Sequence, residues 1–348
     1  MDWYESLIAE CERLKLKPNL TLHHFTSPQW LAEQGGFSNP EATGFFGGFT
    51  KRVVRRLGSR VPLWCTINEP VVLALGSYVL GIMPPGVFAP DLAVRAFTQL
   101  LRSHAVAYEI IHRETTTRVG PWKDDPLQVG FAHNLLDFQA DRWWHPLEFA
   151  ISRMLWRIYN KAWMEGIMGR RPSVKLLNVL PEAHWPHELK GRVWADFVGV
   201  NYYTKAYVQW RPRDSGEGQT GNLPIGLSFA RRREAQSDLG WAIHPKGFEK
   251  VLRWAAGYGL PLMITENGIA DHTDDRRREF LEKHLSVLQK LREEGMDIQG
   301  YYHWSLLDNF EWIKGFGPRF GLYQVDYSNF NRSLRLSGEY YREWIQSQ

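Results

Sequence analysis

Cysteine is nearly absent from this chain of 348 residues. Cys11 and Cys65 are the only two, too few for a disulfide framework. Cys65 lies in an apolar run and reads as a small core residue. No apolar run approaches the ~20 residues of a membrane span. The start, Met1-Asp2-Trp3-Tyr4, has no basic stretch leading into an apolar one, so no signal peptide is expected. A reducing, cytoplasmic setting without a membrane partner is the expectation. Charge of one sign is not gathered either. The net charge is +4, and the arginine clusters Arg231-Arg232-Arg233 and Arg276-Arg277-Arg278 have acids nearby. They read as solvated loop and helix-end charge, and no nucleic-acid partner is expected. There is no repeat of fixed period, no glycine-rich phosphate turn after a strand, and no grouping of histidines and carboxylates at ligand spacing. No cofactor and no metal are expected.

Aromatic side chains, by contrast, are abundant: 16 Trp, 14 Tyr and 18 Phe make 14% of the chain. Many must serve the core, since aromatics carry large buried areas. So many indoles also suit a protein that stacks rings on the apolar faces of sugars. Hydrophobic content of 44% and charge of 23% are those of a globular protein, and the length allows a sizeable core.

Two glutamates stand in distinctive frames: Glu69 in Trp64-Cys65-Thr66-Ile67-Asn68-Glu69-Pro70 and Glu266 in Ile264-Thr265-Glu266-Asn267-Gly268. Each ends a run that reads as a buried strand. Paired acids held at strand ends suit glycosidic bond cleavage, one as proton donor and one as nucleophile.

Short apolar runs alternate with helix-period segments, the pattern of βα units on a mainly parallel sheet. A helical stripe of Leu7, Ile8, Cys11 and Leu14 marks residues 3–15. Strands are expected at 19–25, 62–67, 127–133, 196–203, 262–265 and 298–304. Between the last two, Phe280, Leu281, Leu285, Leu288 and Leu291 form a helical stripe with Gly295 as its stop. Residues 211–240, rich in glycine and charge, read as a long surface loop inside a single domain spanning 1–348. Polar residues recur at the C-terminal end of nearly every strand: His24, Asn68 and Glu69, Asn134, Asn201 and Tyr203, Glu266, Trp304. A (β/α)8 barrel collects its site in this way, whereas an open sheet gathers one at a switch point. The fold class expected is α/β, a (β/α)8 TIM barrel. Asn134 reads equally well as a helix cap, and His23, reversed by strand alternation, as a core histidine.

These motifs closely resemble those of the glycoside hydrolase family 1 β-glycosidases. Thr66-Ile67-Asn68-Glu69-Pro70 resembles the family's acid/base signature and Ile264-Thr265-Glu266-Asn267-Gly268 its nucleophile signature. Asn201-Tyr202-Tyr203 resembles its N-x-Y element, and the run from His303 through Asp308 to Trp312 its sugar-binding loop. Gly315-Phe316, Arg319-Phe320-Gly321-Leu322 and Val325-Asp326 also follow the pattern, and the likeness runs from about residue 3 to 345. The resemblance implies a retaining β-glycosidase acting on terminal β-D-glucosides, with β-D-galactosides and β-D-fucosides left open. Glu266 would be the nucleophile and Glu69 the acid/base, with carboxyl groups roughly 5–5.5 Å apart. His24 would bind the glycone, Asn68 the 2-hydroxyl, Tyr203 the nucleophile, Trp304 the sugar face, and Glu311 and Trp312 the outer hydroxyls. Glu311 argues against a phosphorylated sugar, which a carboxylate would repel, and Glu69 against the glutamine of myrosinases.

The resemblance also implies a shortfall. The chain opens on what reads as the helix after the family's second strand, so the first two βα units are absent. With them go a sugar-binding glutamine and an arginine beside the nucleophile. The barrel is therefore expected to be incomplete. Open strand edges invite pairing, so a homo-oligomer is an expectation. The alternative function is a catalytically impaired relative that binds sugar without turning it over.

Overall fold

The computed structural model describes residues 1–172, 185–211 and 225–348. The chain divides into two compact units, one of Met1–Asn134 with Arg157–Gly199, the other of Leu135–Trp156 with Val200–Gln348.

In the first unit, α1 (Asp2–Arg13) precedes β1 (Asn19–His23). Then come α2 (Gln29–Glu33), α3 (Ala42–Leu57), β2 (Leu63–Asn68), α4 (Pro70–Tyr78), α5 (Pro90–Glu114) and β3 (Gln128–Asn134). The strands β1, β2 and β3 are parallel neighbours in that order. Every residue of β2 is buried, as expected for a parallel strand covered on both faces, which reads as an unbroken apolar run. Its Trp64 packs with Val54, Leu57, Ile111 and Val129 from α3, α5 and β3. Only Ile8 of the stripe on α1 is buried; Leu7 and Leu14 are exposed.

The second unit begins with β4 (Asp137–Ala140) and α6 (Pro146–Leu155). The chain then returns to the first unit through a π-helical segment, Trp156–Lys161, and α7 (Ala162–Ile167). Strand β5 (Phe197–Tyr202) starts in the first unit and ends in the second. There β6 (Lys205–Trp210), β7 (Ile225–Ser228), α8 (Pro245–Ala256), β8 (Leu262–Asn267), α9 (Arg277–Glu293) and β9 (Ile298–His303) follow. A hairpin of β10 (Tyr323–Asp326) and β11 (Asn331–Leu334) leads into α10 (Leu336–Gln346). The sheet order here is β5-β8-β9, and β8 and β9 are parallel. The stripe on α9 buries Phe280, Leu281, Leu285, Leu288 and Leu291.

All six expected strands are present within a residue or two. Two expectations need correction. Residues 225–228 of the expected surface loop form β7, which pairs antiparallel with β6, while β4 adds on β6's other side; residues 212–224 of that loop lie outside the described residues. Arg277, expected to be solvated, is fully buried. It is neutralised by Asp274 and donates to the carbonyls of Asp271 and Arg319.

Candidate active site

Both glutamates follow the same backbone device. On β2, Cys65 pairs with Gly130 and Asn68 with Ala132, so β2 carries an extra residue just before Glu69. On β8, Ile264 pairs with Tyr301 and Asn267 with His303, so an extra residue falls in the Thr265-Glu266 stretch. Such bulges re-aim side chains beside active sites. The glutamates are 7% and 8% exposed, which is unusual for carboxylates without partners.

Glu69 meets Ala132 and Asn134 of the first unit. It sits at φ 46°, ψ 55°, a left-handed backbone that non-glycine residues rarely adopt. Pro70 disfavours the right-handed helical conformation for the residue before it and opens α4. The Glu69 N–H donates to the Ala132 carbonyl at 2.8 Å. The Asn134 amide donates to its carboxylate Oε1 at 3.0 Å, and the Tyr159 hydroxyl donates to Asn134 Oδ1 at 2.7 Å. Asn134 ends a strand that is followed by another strand, so it is no helix cap. Beside Glu69, the Asn68 amide donates to His24 Nε2 at 3.0 Å. Burial lowers the His24 pKa to about 4, so the ring is neutral and can accept that bond. His23 turns away, its ring edge-on to Phe37.

Glu266 is held in the second unit. The Tyr203 hydroxyl donates to its Oε2 at 2.5 Å, and the Tyr203 ring lies against Trp241 and Phe320. Thr265 donates to Asn201 at 2.6 Å and Asn267 to the Tyr202 carbonyl at 2.6 Å, locking both sides of Glu266 to the end of β5. The Trp304 N–H donates to the Asn267 carbonyl. A Cβ on Gly268 would overlap the Trp304 carbonyl oxygen, so only glycine permits this approach. Trp304 and Trp312 are half-buried. Glu311 accepts from Asn309 at 2.8 Å and from the Trp304 indole. Burial raises its pKa, with those two bonds pulling the other way. Buried Asp308 anchors the loop, accepting from Arg335 and from the N–H groups of Gly321 and Val325.

The expected residues thus fall into two sets: His24, Asn68 and Glu69 in the first unit, and Tyr203, Glu266, Trp304, Glu311 and Trp312 in the second. Sequence reasoning missed the contact of Asn134 with Glu69, and it missed Tyr159 entirely. Asn134 carried a signal, as a polar residue at a strand end. Tyr159 carried none. Among the described residues no group of three His, Cys, Asp or Glu is placed to hold a metal ion. No described helix is long and apolar enough to cross a membrane.

The sequence profile described as Glycosyl hydrolase family 1 matches residues 1–348. This chain belongs to glycosyl hydrolase family 1. It is 30% identical to Beta-glucosidase A of Thermotoga maritima across all of this chain and 77% of that one. With the Beta-galactosidase of Pyrococcus woesei it shares 29%, over 93% of this chain and 67% of the other. The solved structure of the Thermotoga maritima beta-glucosidase in complex with castanospermine superposes with a TM-score of 0.86 at 28% identity, over 99% of this chain and 77% of that one. The fold class is the (β/α)8 barrel of family 1 in incomplete form, and the chain is shorter than these relatives. As a family 1 member it is a glycoside hydrolase, and retaining β-glycosidase chemistry accords with its relatives.

Proposed function

We propose that the chain hydrolyses terminal β-D-glucosides, with β-D-galactosides and β-D-fucosides as further candidates, through a covalent glycosyl-enzyme. One observation carries this reading: each buried glutamate at a bulged strand end has a donor fixed on its carboxylate, Asn134 on Glu69 and Tyr203 on Glu266. In the first step Glu266 attacks the anomeric carbon, the bond to the aglycone oxygen breaks, and Glu69 gives that oxygen its proton. In the second, Glu69 takes a proton from water, the water oxygen bonds the anomeric carbon, and the ester to Glu266 breaks. His24, Asn68, Trp304, Glu311 and Trp312 would hold the sugar, with Trp304 as its apolar platform.

We place all of this in one glycosidase domain spanning 1–348, because β5 belongs to both units and the family profile runs through the whole chain. Two cysteines, neither in a disulfide, suit a reducing, cytoplasmic setting. Among the described residues β1 pairs only with β2 and β9 only with β8, which suits a homo-oligomer; size-exclusion chromatography tests that. The test of function is release of nitrophenol from 4-nitrophenyl β-D-glucoside. Activity no greater than that of Glu266→Ala would replace hydrolysis with the sugar-binding reading, which deoxynojirimycin binding without turnover would support.

A further inference from the structure

The segment that carries Tyr159, Trp156–Lys161, is π-helical. Such insertions are rare and cluster at functional sites. Here the widened turn brings the Tyr159 hydroxyl to 2.7 Å from Asn134 Oδ1, and the Asn134 amide to 3.0 Å from Glu69 Oε1. All three residues belong to the first unit. The Tyr159 ring stacks on His133, whose Nε2 donates back to the Asn160 carbonyl at 3.1 Å. The ring is therefore seated by the same segment that presents the hydroxyl.

We propose that Tyr159 is a positioning residue for the acid/base step, acting through Asn134 on Glu69. This rests on the reading of Glu69 as acid/base. An amide side chain has two ends of nearly equal shape but opposite polarity. The Tyr159 O–H donates to the amide oxygen and not to the NH2 end, which is itself a donor, so it holds the Asn134 NH2 toward the carboxylate. That amide holds Oε1, and the delivered proton is assigned in this proposal to Oε2. Bonds in such a chain polarise one another. Burial and the nearby Glu69 keep the phenol pKa well above its ordinary value, so the hydroxyl stays a donor throughout the working pH range. Without it the amide is free to turn its oxygen toward Glu69, and the carboxyl loses its fixed orientation.

Tyr159→Phe keeps the ring and removes the hydroxyl. The probes are phenyl β-D-glucoside, whose poor leaving group needs the proton, and 2,4-dinitrophenyl β-D-glucoside, whose leaving group departs without one. Tyr159→Phe should lower kcat/KM on the phenyl substrate by about 3- to 30-fold, a part of the ~10²–10⁴ of acid catalysis, and on the dinitrophenyl substrate by no more than about 2-fold. Asn134→Ala should give the same split, and adding Tyr159→Phe to it should change little, because residues acting in one chain are not additive. Equal losses on both substrates would mark Tyr159 as merely structural, and no loss on either would also overturn the proposal. If Glu69→Ala keeps full activity on the phenyl substrate, or the wild-type chain turns over neither, the reading of Glu69 fails and takes this inference with it. If Glu69→Ala shows the expected split and Tyr159→Phe does not, only the inference falls.

Discussion

The surroundings of Glu69 and Glu266 solve one problem in different ways. Glu69 follows a bulge, and Glu266 lies within one, at the end of a buried parallel strand. Glu69 is aimed by its backbone, left-handed and pinned by Pro70, and its carboxylate accepts from Asn134 of β3, which in turn accepts from Tyr159 of a π-helical turn. Glu266 stays inside its strand. It is held by neighbours on β5 and by a loop whose shape depends on Gly268 and Asp308. Under the proposed roles, the contrast teaches that a proton-transferring carboxyl and an attacking carboxylate need different support. The first needs one oxygen held and the other left available. The second needs its charge directed at a single carbon, and the Tyr203 O–H fixes Oε2.

The largest expected effect separates the two glutamates outright. Glu266→Ala should lose on the order of 10⁴-fold or more in kcat on every glucoside, as removal of a nucleophile does. Glu69→Ala should lose ~10²–10⁴-fold in kcat/KM on phenyl β-D-glucoside but far less in kcat/KM on the dinitrophenyl substrate. Azide should then rescue each with opposite stereochemistry, giving the β-glycosyl azide from Glu69→Ala and the α-azide from Glu266→Ala. Product NMR reads this, and the same anomer from both would collapse the distinction. Next in size is Gly268→Ala, which must push the Trp304 carbonyl aside. About 2–4 kcal/mol of stability should be lost, read by urea denaturation, whereas alanine at the exposed Gly48 inside α3, where a Cβ meets nothing within 4 Å, should add about 0.5–1 kcal/mol. A midpoint for Gly268→Ala equal to wild type would show that the loop tolerates displacement. Tyr203→Phe should lower kcat by about 10- to 100-fold on both substrates alike, unlike the split expected at Tyr159.

The smallest effect concerns buried imidazoles. Burial lowers the pKa of His104 and His133 to about 4 in the first unit, and of His284 to about 3 in the second. Their unfolded value lies near 6.5. Folded values below unfolded ones mean that the unfolded chain takes up protons first as pH falls. The stability involved is therefore complete above pH 6.5 and lost on descending toward 4, or toward 3 for His284. Each fully buried ring should contribute about 1–2 kcal/mol of loss by pH 5. His104→Gln should reduce the fall in urea midpoint between pH 7 and pH 5 relative to wild type; an unchanged fall would show that this ring does not govern it.

Much of this was legible because parallel strands buried on both faces leave unbroken apolar runs. The same reasoning located Glu69 and Glu266, since an acid closing such a run has no ordinary structural use. The side sheet of β4, β6 and β7 was harder to see. Its strands are short and each ends half-buried, so local pattern resembles a loop until pairing is known. Arg277 looked solvated because its compensation comes from a remote carbonyl, Arg319, as well as from nearby Asp274 and Asp271.

The sequence by itself determined the βα rhythm, the two glutamates and the family to which their frames belong, because each is a local pattern of burial and spacing. Only the tertiary structure decided that Asn134 touches Glu69 and that Tyr159 stands behind it. Those residues are 65 and 25 positions from their partners. Hydrogen bonds across such separations depend on where strands and helices pack, which no short stretch of residues records.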